Sequence, residues 1–246
     1  MTAVELLRWD APGPYEVAFS TRRGGLSDGA FASLNLGLLT EDEPERVRQN
    51  RRRLCEAAGL DPDRTTMVRQ RHGSDVHRAA AGRGIAEPGA AQADGDGLWS
   101  DDPGVAMLLV TADCLPIALA RPPGTEPALA VLHAGRRGLL DGVVAAGARA
   151  LGGGPLTAAI GPGIGPCCYE VKEEVARPFR ASFGDDVARG GTLDLWTAAE
   201  RALRAAGCES VERLDLCTAC DPERFFSHRR DRGRTGRQGV IARVAR

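Results

Sequence analysis

The sequence predicts an α/β fold, and three observations predict it. Short runs at residues 105–110, 115–120 and 128–132 are bounded by Gly, Pro or Asp and are too continuously apolar for strands with one wet face, so they are central strands. Helical patterns alternate with the strands, as at 139–151 followed by a strand at 156–160. No Ser/Gly-rich linker separates the parts of the chain, which predicts one domain over residues 1–246.

The remaining elements follow from local signals. Residues 16–22 (EVAFSTR) predict a strand before a Gly-rich turn. Residues 41–59 begin with acidic side chains, carry apolar residues at helical spacing and end at a glycine, which predicts an amphipathic helix. Helices are predicted at 169–183 and at 194–206, the second with Asp194 as N-cap. The closing GVIARV predicts a final strand.

Composition restricts the class of protein. The formal net charge of −1 argues against nucleic-acid partners, which require a basic surplus. No stretch approaches the roughly 20 apolar residues of a membrane span, and the N-terminus has no basic segment followed by an apolar core. We therefore expect a cytoplasmic protein without membrane partners. In that compartment the seven cysteines stay reduced.

Three residues of metal-binding type stand at the edges of apolar strands: His72, Cys114 and His133. Two imidazoles and one thiolate fill three of the four tetrahedral positions of zinc and leave the fourth for water or substrate. The spacing by itself is unspecific, because it matches neither a zinc finger nor an HExxH helix. The alternative is that Cys114 is a small buried hydrophobe and His133 a hydrogen-bonded core histidine.

Cys217 and Cys220 form a CTAC motif. A redox or metal pair is one interpretation. Because the sequence has no second CxxC, we favour two ordinary thiols near the end of a strand.

Six sequence blocks point to a family. Their order along the chain, from about Ser33 to Gln238, resembles the laccase-domain family, also called polyphenol oxidase-like proteins and now purine nucleoside phosphorylases. Six blocks in one order are far more specific than any single block. They are SLNLG, RQRHG, TADCLPI, LHAGRRG, IGPGIGPCCYEV and FFSHRRDRGRTGRQ.

The resemblance implies four α/β/β/α layers with mixed sheets, and zinc ligands at His72, Cys114 and His133. It also implies phosphorolysis of purine nucleosides (adenosine, inosine, guanosine or methylthioadenosine) and deamination of adenosine. One departure is visible, since Arg136 stands where the family usually has Trp. Arg137 keeps its family position. The change affects any function of that side chain in lining the site or stacking on a substrate, and it leaves the proposed ligands unchanged.

Phosphorolysis requires a site for the phosphate anion. Arg137 is the first candidate, because a guanidinium can bind phosphate through two hydrogen bonds; the alternative is a surface arginine paired with an acid. The glycine-rich IGPGIGP could present backbone amides to an anion, although a structural turn is the commoner explanation. Asn35 and Gln238 either hydrogen-bond the base or ribose, or stabilise turns.

Deamination requires a group that transfers protons. Asp113, next to Cys114, could act as this acid/base, or it could instead hydrogen-bond a ligand histidine. His77 is either a reserve base or an exposed strand residue, and we favour the exposed residue.

Three other functions remain open. Copper could bind the same residues and oxidise phenols, but the four histidines are too few for a multicopper oxidase. A cysteine hydrolase would use Cys114 as nucleophile and His133 as base. A non-enzymatic interaction protein would retain a zinc ion without pocket chemistry, and an open three-ligand site argues against it. The residues leave the oligomeric state undetermined.

Overall fold

A computed structural model describes residues 2–80 and 93–245 of the chain. In chain order the strands are β1 (Leu6–Trp9), β2 (Tyr15–Ser20), β3 (Thr65–Thr66), β4 (Val76–Arg78), β5 (Gly97–Ser100), β6 (Ala106–Thr111), β7 (Leu115–Ala120), β8 (Leu129–Ala134), β9 (Leu156–Ile160), β10 (Ala188–Arg189), β11 (Thr192–Leu193), β12 (Cys208–Arg213) and β13 (Gln238–Val244). The α-helices are α1 (Pro44–Ala58), α2 (Arg136–Leu140), α3 (Val143–Ala150), α4 (Glu173–Phe183) and α5 (Leu195–Ala205).

The long strands form two sheets. The first has the order β1-β2-β13-β6-β3 and the second the order β12-β9-β7-β8-β5-β4. Most neighbours are antiparallel, while the pairs β3/β6, β4/β5 and β9/β12 are parallel, so both sheets are mixed. Strands β10 and β11 form a small separate hairpin. Strand β13 lies between β2 and β6, so a central position is filled by the last of the described strands.

Three apolar clusters show the predicted four layers. Between α1 and the first sheet, Leu54 packs with Leu108. Between the two sheets, Phe19 packs in a cluster with Val131. On the far side of the second sheet, the remaining α-helices cover a third cluster that includes Leu132. The α/β/β/α arrangement with mixed sheets is confirmed.

Alternation along β8 gives each side of the strand a different partner. Leu129 and Val131 face the first sheet, whereas Ala130, Leu132 and Ala134 face the helices. Because successive side chains of a strand point to opposite faces, His133 follows Val131 onto the side of the first sheet. It is buried there, with 3% of its surface exposed.

Most predicted elements are present, with shifted ends. Helix α1 begins at Pro44, a residue suited to a first helical turn, and ends at Ala58, just before Gly59, which has φ 72°. The carboxylate of Asp194 accepts a hydrogen bond from the Thr197 N–H (3.0 Å), so the predicted N-cap of α5 is confirmed. Strands β7 and β9 have the predicted bounds.

Two predicted helices are wrong in part. The helix predicted over 139–151 is two helices, α2 and α3, because Gly142 between them has φ 84°. The helix predicted over 169–183 starts only at Glu173. The four residues before it are not helical, because Tyr169 and Val171 exchange backbone hydrogen bonds with Leu193 and Gly191. Among the described residues, no helix is both long and apolar enough to cross a membrane.

Candidate metal centre and surrounding residues

The structure brings His72, Cys114 and His133 together. One potential ligand atom from each lies within 4.8 Å of the others. The two imidazole rings meet edge to face, with 4.8 Å between centroids and an angle of 74°. His133 is buried, Cys114 half-buried and His72 exposed, so the group opens toward the surface on the side of His72.

The fold places these donors from both sheets. Cys114 lies in the short link between β6 of the first sheet and β7 of the second. Antiparallel pairing sets Leu115 opposite Ala134, which brings Cys114 beside Gly135. A Cβ atom at Gly135 would lie 2.7 Å from the Cys114 sulfur, so the glycine after His133-Ala134 makes room for the thiol.

A buried carboxylate that the sequence analysis missed holds both histidines. Oδ1 of Asp96 accepts hydrogen bonds from the backbone N–H of His72 (2.9 Å) and from Nδ1 of His133 (2.8 Å). Oδ2 accepts from the backbone N–H groups of Arg71 (3.0 Å) and Gly73 (2.7 Å). These bonds hold His72 at its positive φ of 63° and leave Nε2 of His133 available to a metal ion. The only signal in the sequence was an acid directly before a strand.

The three donors also influence one another's protonation. Burial would raise the pKa of the Cys114 thiol, but His133 and His72 outweigh burial and lower it to about 6. Burial would lower the pKa of His133, but the Cys114 thiolate and Asp96 raise it to about 9. A thiol that ionises readily and an imidazole oriented by a carboxylate are the donors that zinc prefers, so the residues fit this metal.

Asp113 has other partners than the histidines. Its Oδ1 accepts from the Thr218 hydroxyl (2.7 Å) and its Oδ2 from the backbone N–H of Arg229 (2.6 Å). The alternative in which Asp113 orients a ligand histidine is therefore wrong, since Asp96 does so. Asp113 still lies beside Cys114 in the chain, and its carboxylate ties two later segments to this part of the site.

Asn35 and Gln238 have structural contacts where we expected that they could bind substrate. Asn35 is fully buried; its amide donates to Thr40 and Asp42, and its Oδ1 accepts from the N–H groups of Gly37 and Arg237. Hydrogen bonds at both ends of its amide stabilise the turn, so the substrate-binding alternative is not favoured.

The side chain of Gln238 is equally occupied. It is buried and makes two hydrogen bonds with the backbone of Phe226, at 2.8 and 3.0 Å. Substrate would have to break both bonds to reach it. The turn-stabilising alternative fits the structure for both residues.

Arg237, which the sequence analysis did not single out, lies near the metal donors. Burial lowers the pKa of its guanidinium overall, although Cys114 and Asp113, within electrostatic reach, raise it. Its Nη1 donates to the carbonyls of Thr235 (2.9 Å) and Gly236 (2.8 Å), and Nη2 has no hydrogen-bond partner within residues 2–80 and 93–245. A cation with a free N–H group therefore stands close to the thiol.

Arg136 and Arg137 are both exposed at the start of α2. Arg136 is close enough to Tyr169 to lower the pKa of its hydroxyl, although burial and the nearby Cys114 raise that pKa overall. The arginine in the usual Trp position and the Cys114 thiol thus both lie within electrostatic reach of Tyr169. Arg137 makes no side-chain hydrogen bond or ion pair with any residue that the structure describes. The alternative, in which Arg137 pairs with an acid, is therefore not observed among the described residues.

The glycine-rich IGPGIGP segment is a packing turn. The N–H of Gly161 donates to Pro116 (2.9 Å), that of Gly163 to Leu216 (3.2 Å) and that of Gly165 to the sulfur of Cys217 (3.3 Å). A Cβ atom at each would lie 2.3–2.5 Å from a side chain packed against it. The amides have partners, so the anion-binding alternative is wrong and the structural one is confirmed.

Two other expectations concern His77 and the CTAC motif. Nε2 of His77 lies 2.8 Å from the carbonyl oxygen of Asp94, and the ring is half-buried on β4, so it is neither free nor fully exposed. Cys217 and Cys220 are not isolated thiols, because Cys167 and Cys168 lie against them. Cys167 and Cys168 are adjacent in the chain, so they do not form a second CxxC motif in the sequence.

The fold and the site define a class: a single four-layer α/β domain with an open His/Cys donor group where the chain crosses between its sheets. This chain belongs to the multi-copper polyphenol oxidoreductase laccase family, whose model matches residues 16–245.

Curated relatives cover nearly the whole chain. A purine nucleoside phosphorylase of Pseudomonas aeruginosa is 38% identical, with 93% of each chain covered. The purine nucleoside phosphorylase YfiH of Escherichia coli is 36% identical over 96% of this chain and 97% of its own. The crystal structure of YlmD from Geobacillus stearothermophilus superposes with a TM-score of 0.90 at 34% identity, covering 100% of this chain and 98% of that one.

Proposed function

We propose that this chain is a zinc-dependent purine nucleoside phosphorylase that also deaminates adenosine. The observation that carries the proposal is the open group of His72, Cys114 and His133, with Arg237 within electrostatic reach of Cys114. The names of relatives that match along nearly the whole chain support the nucleoside and phosphate substrates. A cytoplasmic location fits such substrates and remains part of the proposal.

The three donors would hold the metal. When bound, zinc supplies a Lewis acid that stabilises negative charge developing on the substrate. Asp96 keeps the proton of His133 on Nδ1, which directs the other ring nitrogen to the ligand position. Gly135 leaves space for the sulfur of Cys114. Three protein donors leave one tetrahedral position open to the substrate.

Arginines would bind the phosphate. Arg137 has no ion-pair partner among the described residues, so its guanidinium can form two hydrogen bonds to an anion without losing another contact. Arg237 and Arg136 add positive charge next to Cys114 and Tyr169. In phosphorolysis a phosphate oxygen bonds to C1′ of the ribose as the bond to the base breaks, and these cations favour the approach of that anion.

Asp113 is the proposed acid/base for proton transfer to the departing base or amine. The Thr218 hydroxyl and the Arg229 N–H hold its carboxylate in a fixed orientation beside Cys114. Fixed orientation favours a group that must exchange a proton at one atom of the substrate. Asn35 would act indirectly, by holding the backbone N–H of Arg237.

One observation favours a second function. Cys114, His133 and Asp96 form a thiol, imidazole and carboxylate series with a lowered pKa at the thiol, the arrangement of a cysteine hydrolase. Copper oxidation of phenols has less support, because the described donor group contains only two histidines. Copper would nevertheless compete for these donors.

The test uses metal-analysed protein incubated anaerobically with adenosine and phosphate, with chromatography of ribose 1-phosphate, adenine, inosine and ammonia. We expect zinc-loaded protein to form ribose 1-phosphate and Cys114→Ala to form none. Cys208→Ala, a buried thiol in β12 away from the donor group, is the matched control and should retain activity.

Two outcomes would replace the proposal. No turnover of any purine nucleoside by stoichiometrically zinc-loaded protein would contradict it. Hydrolytic activity that persists after zinc removal and disappears on alkylation of Cys114 would support the cysteine hydrolase, whereas zinc should protect a ligand thiolate from alkylation.

A further inference from the structure

A second group of sulfurs lies outside the candidate metal centre. Cys167 and Cys168 follow β9, and Cys217 and Cys220 follow β12. The four sulfur atoms all lie within 4.8 Å of one another. The Cys220 sulfur is 3.3 Å from that of Cys167 and 3.4 Å from that of Cys168. Four thiols from two distant segments therefore converge on one point.

Backbone contacts bring the two segments together. Gly163 and Cys217 form an isolated parallel bridge, which joins the first segment just before its two cysteines to the first cysteine of the second segment. The backbone N–H of Gly165 donates to the sulfur of Cys217 (3.3 Å). An N–H donor at this sulfur favours the thiolate, the form in which cysteine binds metal.

The spacing suits a tetrahedral metal. A Zn–S distance of about 2.3 Å places the sulfurs of a tetrahedral site about 3.8 Å apart, and the observed range, from 3.3 Å to within 4.8 Å, brackets that value. A disulfide would bond Cys220 to one neighbour at about 2.05 Å, but this sulfur is nearly equidistant from two. Four thiolates with no open position form a structural site, unlike the three-donor group.

We propose that Cys167, Cys168, Cys217 and Cys220 bind one structural Zn²⁺ that joins the segment after β9 to the segment after β12. The ion would fix two neighbours of the candidate active site. Tyr169, next to Cys168, lies within electrostatic reach of Cys114. Thr218, next to Cys217, donates its hydroxyl to Asp113 (2.7 Å). The zinc would thereby hold one wall of that site, and it would bind whether or not the chain is a phosphorylase.

The test measures zinc content, not activity. Protein is purified anaerobically after growth with Zn²⁺, exchanged into metal-free buffer and analysed for zinc per chain. With two donor groups among the described residues, we expect two zinc ions in the wild type, one in Cys114→Ala, one in Cys220→Ser and none in the double variant. Cys208→Ala should retain both ions, because its thiol belongs to neither group.

X-ray absorption of Cys114→Ala provides a second measurement that does not depend on the folding of Cys220→Ser. Its zinc should have four sulfur neighbours at about 2.3 Å and no nitrogen. Absence of zinc from Cys114→Ala, or a shell that contains nitrogen, would overturn the proposal. A disulfide among the four cysteines, detected by non-reducing peptide mass spectrometry of the same preparation, would overturn it too.

Discussion

Asp96 shows at the scale of a residue how one buried charge can organise a site. Its two oxygens accept four hydrogen bonds, three from the backbone around His72 and one from the ring of His133. Burial would raise its pKa, but His133 and the N–H donors outweigh burial and lower it. The carboxylate therefore stays ionised in the folded protein and positions two of the three donors.

Replacing Asp96 tests this role. In Asp96→Asn an NH₂ group must face N–H donors, so we expect a loss of about 3 kcal/mol in the free energy of unfolding. We also expect the zinc affinity of the His72, Cys114 and His133 group to fall by about 10- to 100-fold. Chemical denaturation and zinc competition measure these effects. Asp94→Asn, a nearby exposed acid that pairs with Arg69 and Arg71, is the control and should cost less than about 1 kcal/mol.

The loss of stability in Asp96→Asn should depend on pH in a defined direction. Because folding lowers the pKa of Asp96, its ionised form adds stability above its unfolded pKa of about 3.9, and this stability disappears as pH falls through the folded pKa. The difference in stability between wild type and Asp96→Asn should therefore shrink below about pH 4. A constant difference down to pH 2 would contradict the role of the charge.

Two glycines near α2 act for different physical reasons at the scale of an element. Gly135 has an ordinary φ of −86°, but a Cβ there would lie 2.7 Å from the Cys114 sulfur. Gly142, between α2 and α3, has φ 84° and open space where its Cβ would stand. The first position is therefore restricted by packing and the second by backbone conformation.

Alanine at each position should separate these effects. Gly135→Ala should displace the Cys114 thiol and lower zinc affinity at the three-donor group, with the fold retained. Gly142→Ala should lower the free energy of unfolding by about 1 kcal/mol because of its left-handed backbone, with unchanged zinc affinity. Zinc competition and urea unfolding of the pair provide the measurements, and equal zinc affinity in both variants would argue against the packing explanation.

The contact between the two sheets supports the site at the scale of the whole molecule. Cys114 lies where the chain passes from one sheet to the other, and His133 points from the second sheet toward the first. Phe19, with 1% of its surface exposed, fills the cluster between the sheets and also packs over Gly161. The relative position of the donors thus depends on an apolar interface away from the donor group.

A large-to-small substitution tests that interface. Phe19→Ala should reduce the free energy of unfolding by about 3–5 kcal/mol, because it opens a cavity between the sheets. Leu39→Ala, at a side chain that is 91% exposed, should change it by less than about 0.5 kcal/mol. Thermal and denaturant unfolding measure both. Similar losses in the two variants would show that the inter-sheet cluster is not the main source of stability.

The sequence by itself determined the elements whose signals are local. Continuous apolar runs identified β7 and β9 at their observed ends, and Asp194 identified the start of α5. It also determined which residue types could bind zinc, and the ordered blocks indicated the family. One error arose where a distant strand competed with a local pattern, at Tyr169, whose backbone bonds with the β11 segment, and another at Gly142, whose left-handed backbone divides a predicted helix.

Only the tertiary structure decided which side chains meet. The partner of His133 is Asp96, 37 residues away, and the partner of Cys220 is Cys167, 53 residues away. Asn35 and Gln238 lie in family blocks, yet their hydrogen bonds are directed into the protein. A linear pattern records periodicity and residue chemistry, whereas these contacts depend on how two twisted sheets and the links between them pack in three dimensions.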